Sequence, residues 1–129
     1  LDVGWGPCWS TEFFANVVGI DPVGYHEHII QASAESIPFP DETFDVILCV
    51  SAVHHFDLDK ALSEMMRVAK KDDLFVIIVL KKAHSFRTIC QFLEKKFQVF
   101  LTVDEAHDIL FFLGNKHARV SYPLVSTKV

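Results

Sequence analysis

The sequence predicts an α/β fold, a mostly parallel sheet with crossover helices, and three observations carry that prediction. Short runs of aliphatic and β-branched residues alternate with stretches whose apolar residues recur at helical spacing. The two longest β-type runs, Phe44 to Val50 (FDVILCV) and Leu74 to Leu80 (LFVIIVL), lack polar alternation, as strands covered on both faces do. Composition allows one substantial core: the 129 residues are 50% hydrophobic and 22% charged, so residues 1–129 are read as a single domain.

The elements follow in order. The first residues, Leu1 to Val3, read as the end of a strand that runs into the glycine turn Gly4-Trp5-Gly6, and "WSTEFFA" after it reads as a short helix. Val17 to Asp21 and His28 to Ala32 are the next strands, ahead of the two long ones. "DLDKALSEMMRVAKK" predicts a helix capped by Asp57 or Asp59, with Leu62, Met65, Met66 and Ala69 as its apolar stripe and Lys70 and Lys71 at its basic end. "SFRTICQFLEKKF" predicts a second helix behind Ser85, with Phe86, Ile89, Cys90, Leu93 and Phe97 on one face. Thr102, with Glu105 three residues on, has the pattern of a capping box and predicts a third helix that stops at Gly114. A last strand is expected around Ala118 to Leu124, where Pro123 places its end on an edge.

Charge and composition exclude several function classes. A net charge of −5 and a pI near 5.7 leave no electrostatic footprint for a polyanion, so nucleic acid is not an expected partner. The longest apolar run, Leu74 to Leu80, is far shorter than the roughly 20 residues a membrane-spanning helix needs, and no membrane partner is expected. Three widely spaced cysteines, Cys8, Cys49 and Cys90, fit a reducing compartment better than a disulfide framework, which points to the cytoplasm. His26 and His28 alternate along a strand but have no third ligand at suitable spacing, so no metal is expected. The Phe86-to-Phe97 stripe reads as core or interface, and Lys81-Lys82 and Lys95-Lys96 as solvated faces.

The chemistry concentrates at the start of the chain. A glycine pair after a strand lets the backbone turn sharply and lets a ligand approach the main chain without meeting a Cβ. The next strand ends at Asp21, where a carboxylate can accept from two ribose hydroxyls. Turn and acid together point to a nucleoside-containing cofactor. Trp9 stands where the dinucleotide fingerprint has its third glycine, which counts against a nicotinamide.

Four ordered motifs sharpen this reading: Asp2-Val3-Gly4-Trp5-Gly6, Asp21-Pro22, Ala32-Ser33-Ala34-Glu35-Ser36-Ile37-Pro38-Phe39, and Phe44-Asp45 through Val53-His54-His55 to the helix ending Arg67-Val68-Ala69-Lys70. In this arrangement the sequence resembles the class I S-adenosylmethionine-dependent methyltransferases, in particular the small-molecule family that includes the ubiquinone/menaquinone biosynthesis C-methyltransferases. The resemblance runs from Leu1 to about Leu80. It implies a three-layer Rossmann-like methyltransferase fold, its sheet mostly parallel with an antiparallel strand near the C-terminus, here with a shortened N-terminal half.

The resemblance also implies a site. Gly4, Trp5 and Gly6 would face the amino-acid end of S-adenosylmethionine, with Asp2 meeting its ammonium group. Asp21 would hold the ribose, and Pro22 and Val23 would line the adenine. Ala34 and Glu35 would border the adenine edge, the Ala34 amide meeting a ring nitrogen. Cys49, Val50 and Ser51 would lie beneath the cofactor near the transferred methyl, and His54 and His55 would contact the acceptor or take its proton. The implied activity is methyl transfer to a small or medium-sized acceptor, with S-adenosylhomocysteine as product. The alternative is a non-catalytic domain of the same fold that works through a partner.

Departures from the family pattern bear on that choice. Cys8 replaces the third glycine, Ser33 replaces an aspartate, and Lys71-Asp72-Asp73 replaces a Pro-Gly-Gly turn. Only "PVGYHE" separates Asp21 from the HIIQA strand, too short for a crossover helix. With nothing ahead of the first strand to cover it, the cavity is expected either to be open or to be closed by another subunit, in a homodimer or with a partner.

Overall fold

A computed structural model describes residues 1–4, 16–24, 29–50, 52–116 and 125–128, with backbone alone at 54 and 125–128. The chain order is β1 (Asp2–Val3), β2 (Gly19–Asp21), β3 (Ile29–Gln31), β4 (Phe44–Val50), a 3-10 turn at Val53–His55, α1 (Leu58–Val68), β5 (Ala69–Leu80), α2 (Phe86–Lys96), β6 (Phe97–Asp104), β7 (Asp108–Asn115) and β8 (Val125–Lys128). These strands form one sheet in the order β3-β2-β1-β4-β5-β7-β6-β8. β7 runs antiparallel to both its neighbours, and every other pairing is parallel. The expected mostly parallel sheet with an antiparallel strand near the C-terminus is therefore what forms.

The long apolar runs are its centre. β4 occupies the expected residues, and β5 is the longest strand. On one face Ile47, Cys49, Phe75, Ile77, Val79, Phe111 and Leu113 are buried, packed with Ala61, Leu62, Met65 and Val68 of α1 and Ile89 and Leu93 of α2. Both helices belong on one face because β4→α1→β5 and β5→α2→β6 step across the sheet in the same direction, and right-handed crossovers then share a side. The Phe75 and Phe97 rings meet at 4.8 Å between centroids, and fully burying each such side chain stabilises the fold by roughly 1.5–3 kcal/mol.

Two expectations change. α1 is capped by Asp57, whose carboxylate accepts the Lys60 amide at 3.3 Å, but it ends at Val68, so Lys70 and Lys71 are strand residues. The last helical carbonyls, of Arg67 and Val68, accept the Glu42 and Thr43 amides at 2.9 and 2.8 Å, with Glu42 at φ +54. That pairing draws Ala69 beside Phe44 and leaves residues 70–73 bulged opposite Asp45.

The helix expected from Thr102 to Gly114 is instead the β6–β7 hairpin. Apolar residues at alternate positions, Phe97, Val99, Leu101 and Val103 on one strand and Ile109, Phe111 and Leu113 on the other, satisfy a strand pattern that outweighs the local capping signal, with a register shift between Val99 and Leu101 that sets Leu101 opposite Phe112. Gly114 is no helix stop: a Cβ there would lie 2.3 Å from the Phe100 ring, which crosses the strand at that point.

The strand expected at Ala118 to Leu124, like the short helix "WSTEFFA", lies outside the described residues; the edge strand that is seen is β8. β2 and β3 pair in parallel despite the short connection between them, with Gly19, Ile20 and Asp21 against Ile29, Ile30 and Gln31.

Candidate functional site

The strand order reverses at β1, which has β2 and β3 on one side and β4 and β5 on the other. In such sheets ligands bind outside the carboxyl ends of the strands at the point of reversal. Gly4 follows β1, Asp21 ends β2, residues 32–35 follow β3, and the Val53–His55 turn follows β4, so the sequence-predicted residues converge there.

Gly4 is locked in place. Its φ of +71 lies in the left-handed region, and a Cβ would stand 2.7 Å from the Ala52 Cβ and 3.0 Å from the Phe56 ring. Its amide donates to the Ile20 carbonyl at 2.9 Å, and that of Asp2 to the Val18 carbonyl at 2.9 Å. The turn therefore brings β1 against the residues after β4 more closely than any side chain would permit. Asp2 beneath it is 1% exposed, a carboxylate taken into the sheet next to the glycine turn.

Asp21 is half-buried, and its Oδ1 accepts the Val23 amide at 2.9 Å, which curls Pro22 and Val23 outward at the strand end. Its carbonyl accepts the Ala32 amide at 3.0 Å, tying the end of β3 to the end of β2. Val23 is 53% exposed, an apolar side chain presented to solvent beside the acid. Ala34 is buried, at the start of the loop that leaves β3.

Glu35 is engaged from two sides. One carboxylate oxygen accepts the Asp57 amide at 2.8 Å and the other accepts the Ser33 hydroxyl. Those contacts, the Ser33 hydroxyl foremost, hold the Glu35 carboxyl below its usual range.

Cys49 is completely buried in β4, and burial, reinforced by the Asp2 carboxylate, pushes its thiol far up, so it is inert as a nucleophile. Val50 is half-buried at the strand end. His55 is exposed on the turn, its amide donating to the Ala52 carbonyl at 3.0 Å. Trp5, Gly6, Cys8, His26, His28 and Ser51 lie outside the described residues, as does the side chain of His54. Among the described residues no group of His, Cys, Asp and Glu could hold a metal ion.

One constellation is not apparent in the sequence. The Arg67 guanidinium donates to Glu64 through Nε at 2.8 Å and Nη2 at 2.9 Å, to the Phe39 and Ile37 carbonyls at 2.8 and 2.9 Å, and to Asp41 at 2.9 Å. Glu64 also accepts the Ile37 amide at 2.8 Å, so helix and loop grip each other reciprocally. The Arg67 guanidinium pulls the Glu64 carboxyl down, and Glu64, then Asp41, push the guanidinium up. This clamp holds the connection between β3 and β4, where the chain runs as turns and bends from Ala32 to Thr43. The arginine is visible as part of the Arg67-Val68 motif and Glu64 stands one helical turn before it, but its partners on the loop lie 26 to 30 residues upstream with no periodicity to announce them.

Comparison with known proteins now decides the family. Residues 1–77 match the family described as methyltransferase domain, more than half of the chain. The chain belongs to that family. Among its relatives, the uncharacterized methyltransferase YcgJ of Bacillus subtilis is 44% identical over 66 residues, which cover 50% of this chain and 24% of that protein. The ubiquinone/menaquinone biosynthesis C-methyltransferase UbiE of Vibrio campbellii is 41% identical over 56 residues, 43% of this chain and 22% of that protein. The matched stretch of this methyltransferase domain thus spans about a quarter of these curated relatives.

The fold likeness extends further than the sequence match. A SAM-dependent methyltransferase from Aquifex aeolicus superposes with a TM-score of 0.74 at 21% identity, covering 87% of this chain and 79% of that one. The family match ends inside β5 and encloses every site residue described above.

Proposed function

We propose that this methyltransferase domain binds S-adenosylmethionine at the carboxyl ends of β1 to β4 and serves methyl transfer to a small or medium-sized acceptor, with S-adenosylhomocysteine as product. The observation that carries the reading is Gly4: a left-handed glycine, closed against Ala52 and Phe56, at the point where the strand order reverses.

The residues present fit the cofactor by their chemistry. The buried Asp2 carboxylate beside the turn suits an ammonium group, and the Asp21 carboxylate at the end of β2 suits a ribose diol. Val23, exposed next to Asp21, offers an apolar surface to an adenine, and the Ala34 amide lies on the adjoining loop. When bound, the cofactor supplies an electrophilic methyl group on a sulfonium. The protein's part is then to orient the acceptor and exclude water, which provide most of the acceleration in such a displacement. Val50 borders that volume in this reading, with Cys49 beside it as an inert wall. His54 and His55 are the nearest bases for an acceptor that must lose a proton. A reducing, cytoplasmic setting accords with Cys49 and Cys90 as free thiols.

Calorimetric titration with S-adenosylmethionine, S-adenosylhomocysteine and NAD tests the proposal. Heat is expected with the first two and not with NAD, and Asp21→Ala should weaken binding by about tenfold or more, since it removes a charge-assisted acceptor. No heat at millimolar S-adenosyl ligand, or an unchanged affinity in the variant, overturns it.

A further inference from the structure

We infer that Glu35 is a positioning residue that ties the loop after β3 to the β4–α1 turn, and that Ser33 is its built-in partner; for the cofactor site this rests on the function proposed above. The argument starts at the N-terminus of α1. Asp57 is the N-cap and its side chain accepts the Lys60 amide, one half of a capping box. The other half is a Glu or Gln at the third helical position, reaching back to the N-cap amide. Here that position is Lys60, which has no acceptor to offer.

Glu35 supplies the missing acceptor from 22 residues upstream, at 2.8 Å from the Asp57 amide. Its second oxygen takes the Ser33 hydroxyl, and the same hydroxyl oxygen accepts the Glu35 amide at 3.2 Å, so Ser33 both donates to and accepts from this one residue. The carboxylate is thereby held on the protein side. Its effect on the site is to fix where buried Ala34, between these two residues, stands relative to the turn that carries His54 and His55.

This arrangement reverses what the family pattern implies for Ser33. An aspartate there would set a second carboxylate against Glu35, in place of a hydroxyl that donates to it. Restoring the family's residue should therefore loosen the bridge, not improve the site.

The test uses wild type, Glu35→Gln, Glu35→Ala and Ser33→Asp. Each is titrated with S-adenosylhomocysteine and with its inosine counterpart, in which an oxo group replaces the adenine amino group. Amide hydrogen exchange at Asp57 is followed without ligand. Glu35→Ala should weaken both ligands by the same factor, about tenfold, and speed exchange at Asp57. Glu35→Gln, which keeps an acceptor for that amide, should restore most of both. Ser33→Asp should weaken S-adenosylhomocysteine. Loss confined to the adenine ligand in Glu35→Ala, or tighter binding in Ser33→Asp, overturns the inference, because either places these side chains on the adenine itself. Binding of neither ligand by wild type removes the functional reading alone. The bridge is then judged by exchange at Asp57, and unchanged exchange in Glu35→Ala overturns it.

Discussion

β1, β2 and β3 are 2, 3 and 3 residues long, whereas β4, β5, β6 and β7 run for 7, 12, 8 and 8. The two sides of the sheet are held by different forces. On the long side, ladder hydrogen bonds and a row of buried side chains from Ile47 to Leu113 carry the stability, with α1 and α2 laid over them. On the short side there is too little strand to do this, and the loops are pinned by single polar residues: Asp21 on Val23, Glu35 on Asp57, and Arg67 with Glu64 on residues 37–41. The candidate cofactor site takes Asp2, Gly4, Asp21 and Ala34 from the short side and meets the end of β4, the first strand of the long side. Where the strands are short, charged groups rather than packing hold the loops of this methyltransferase domain in place.

Damage on the long side should cost the most stability and leave the site of the molecules still folded intact. Phe111→Ala, at a fully buried central position, is expected to destabilise by about 3–5 kcal/mol in chemical denaturation. Under native conditions its affinity for S-adenosylhomocysteine should be near that of wild type. A proportionate loss of affinity would break the distinction between the two sides.

Arg67→Met probes the short side. It leaves Glu64 uncompensated and frees the Ile37 and Phe39 carbonyls, for an expected loss of about 2–3 kcal/mol together with weaker cofactor binding. Lysine should not rescue it, because the guanidinium serves four groups with a planar fork that an ammonium cannot reproduce. Full rescue by Arg67→Lys would show that only the charge matters.

The pH dependence separates the sides by sign. Glu64 is held below its usual range by Arg67, so its contribution is present above the ordinary carboxylate range and is lost as the pH falls through its lowered value. Asp73, in the bulge at the head of β5, is pushed by burial up to about 7. The native state there binds a proton that the unfolded chain has already released, so stability falls as the pH rises from the usual carboxylate range to about 7. Asp73→Asn should recover about 1–2 kcal/mol at pH 8, a figure discounted for residual solvent screening, and flatten that slope in thermal melts. An unchanged slope would place the titration elsewhere. Asp57→Ala, which removes the exposed cap contact to Lys60, should have the smallest effect, about 1 kcal/mol.

Much of this architecture was readable before any coordinates. β4 matches its expected bounds because seven apolar-rich residues between turn signals have one good solution, and α1 and α2 follow from apolar spacing and, for α1, from the Asp57 cap. The hairpin departs from the expected helix because Thr102 and Glu105 form a capping box only if the backbone is free to turn there. Pairing with β5 instead commits residues 108–113 to extended structure. Positions of Asp2, Gly4, Asp21, Ala34 and Glu35 were likewise readable from ordered motifs, but the partners of Glu35 and Arg67 were not.

What the sequence by itself determined is the set of elements with strong local periodicity and the ordered motifs that mark the candidate site, since both are written in near-neighbour patterns. The tertiary structure alone decided where α1 ends, that residues 97–115 pair as strands, and which side chains hold the binding loops. Those outcomes depend on hydrogen bonds that the local pattern does not announce, such as Glu35 with Asp57 and Arg67 with Ile37, 22 and 30 residues apart, whose energy exists only once the sheet has brought the groups together.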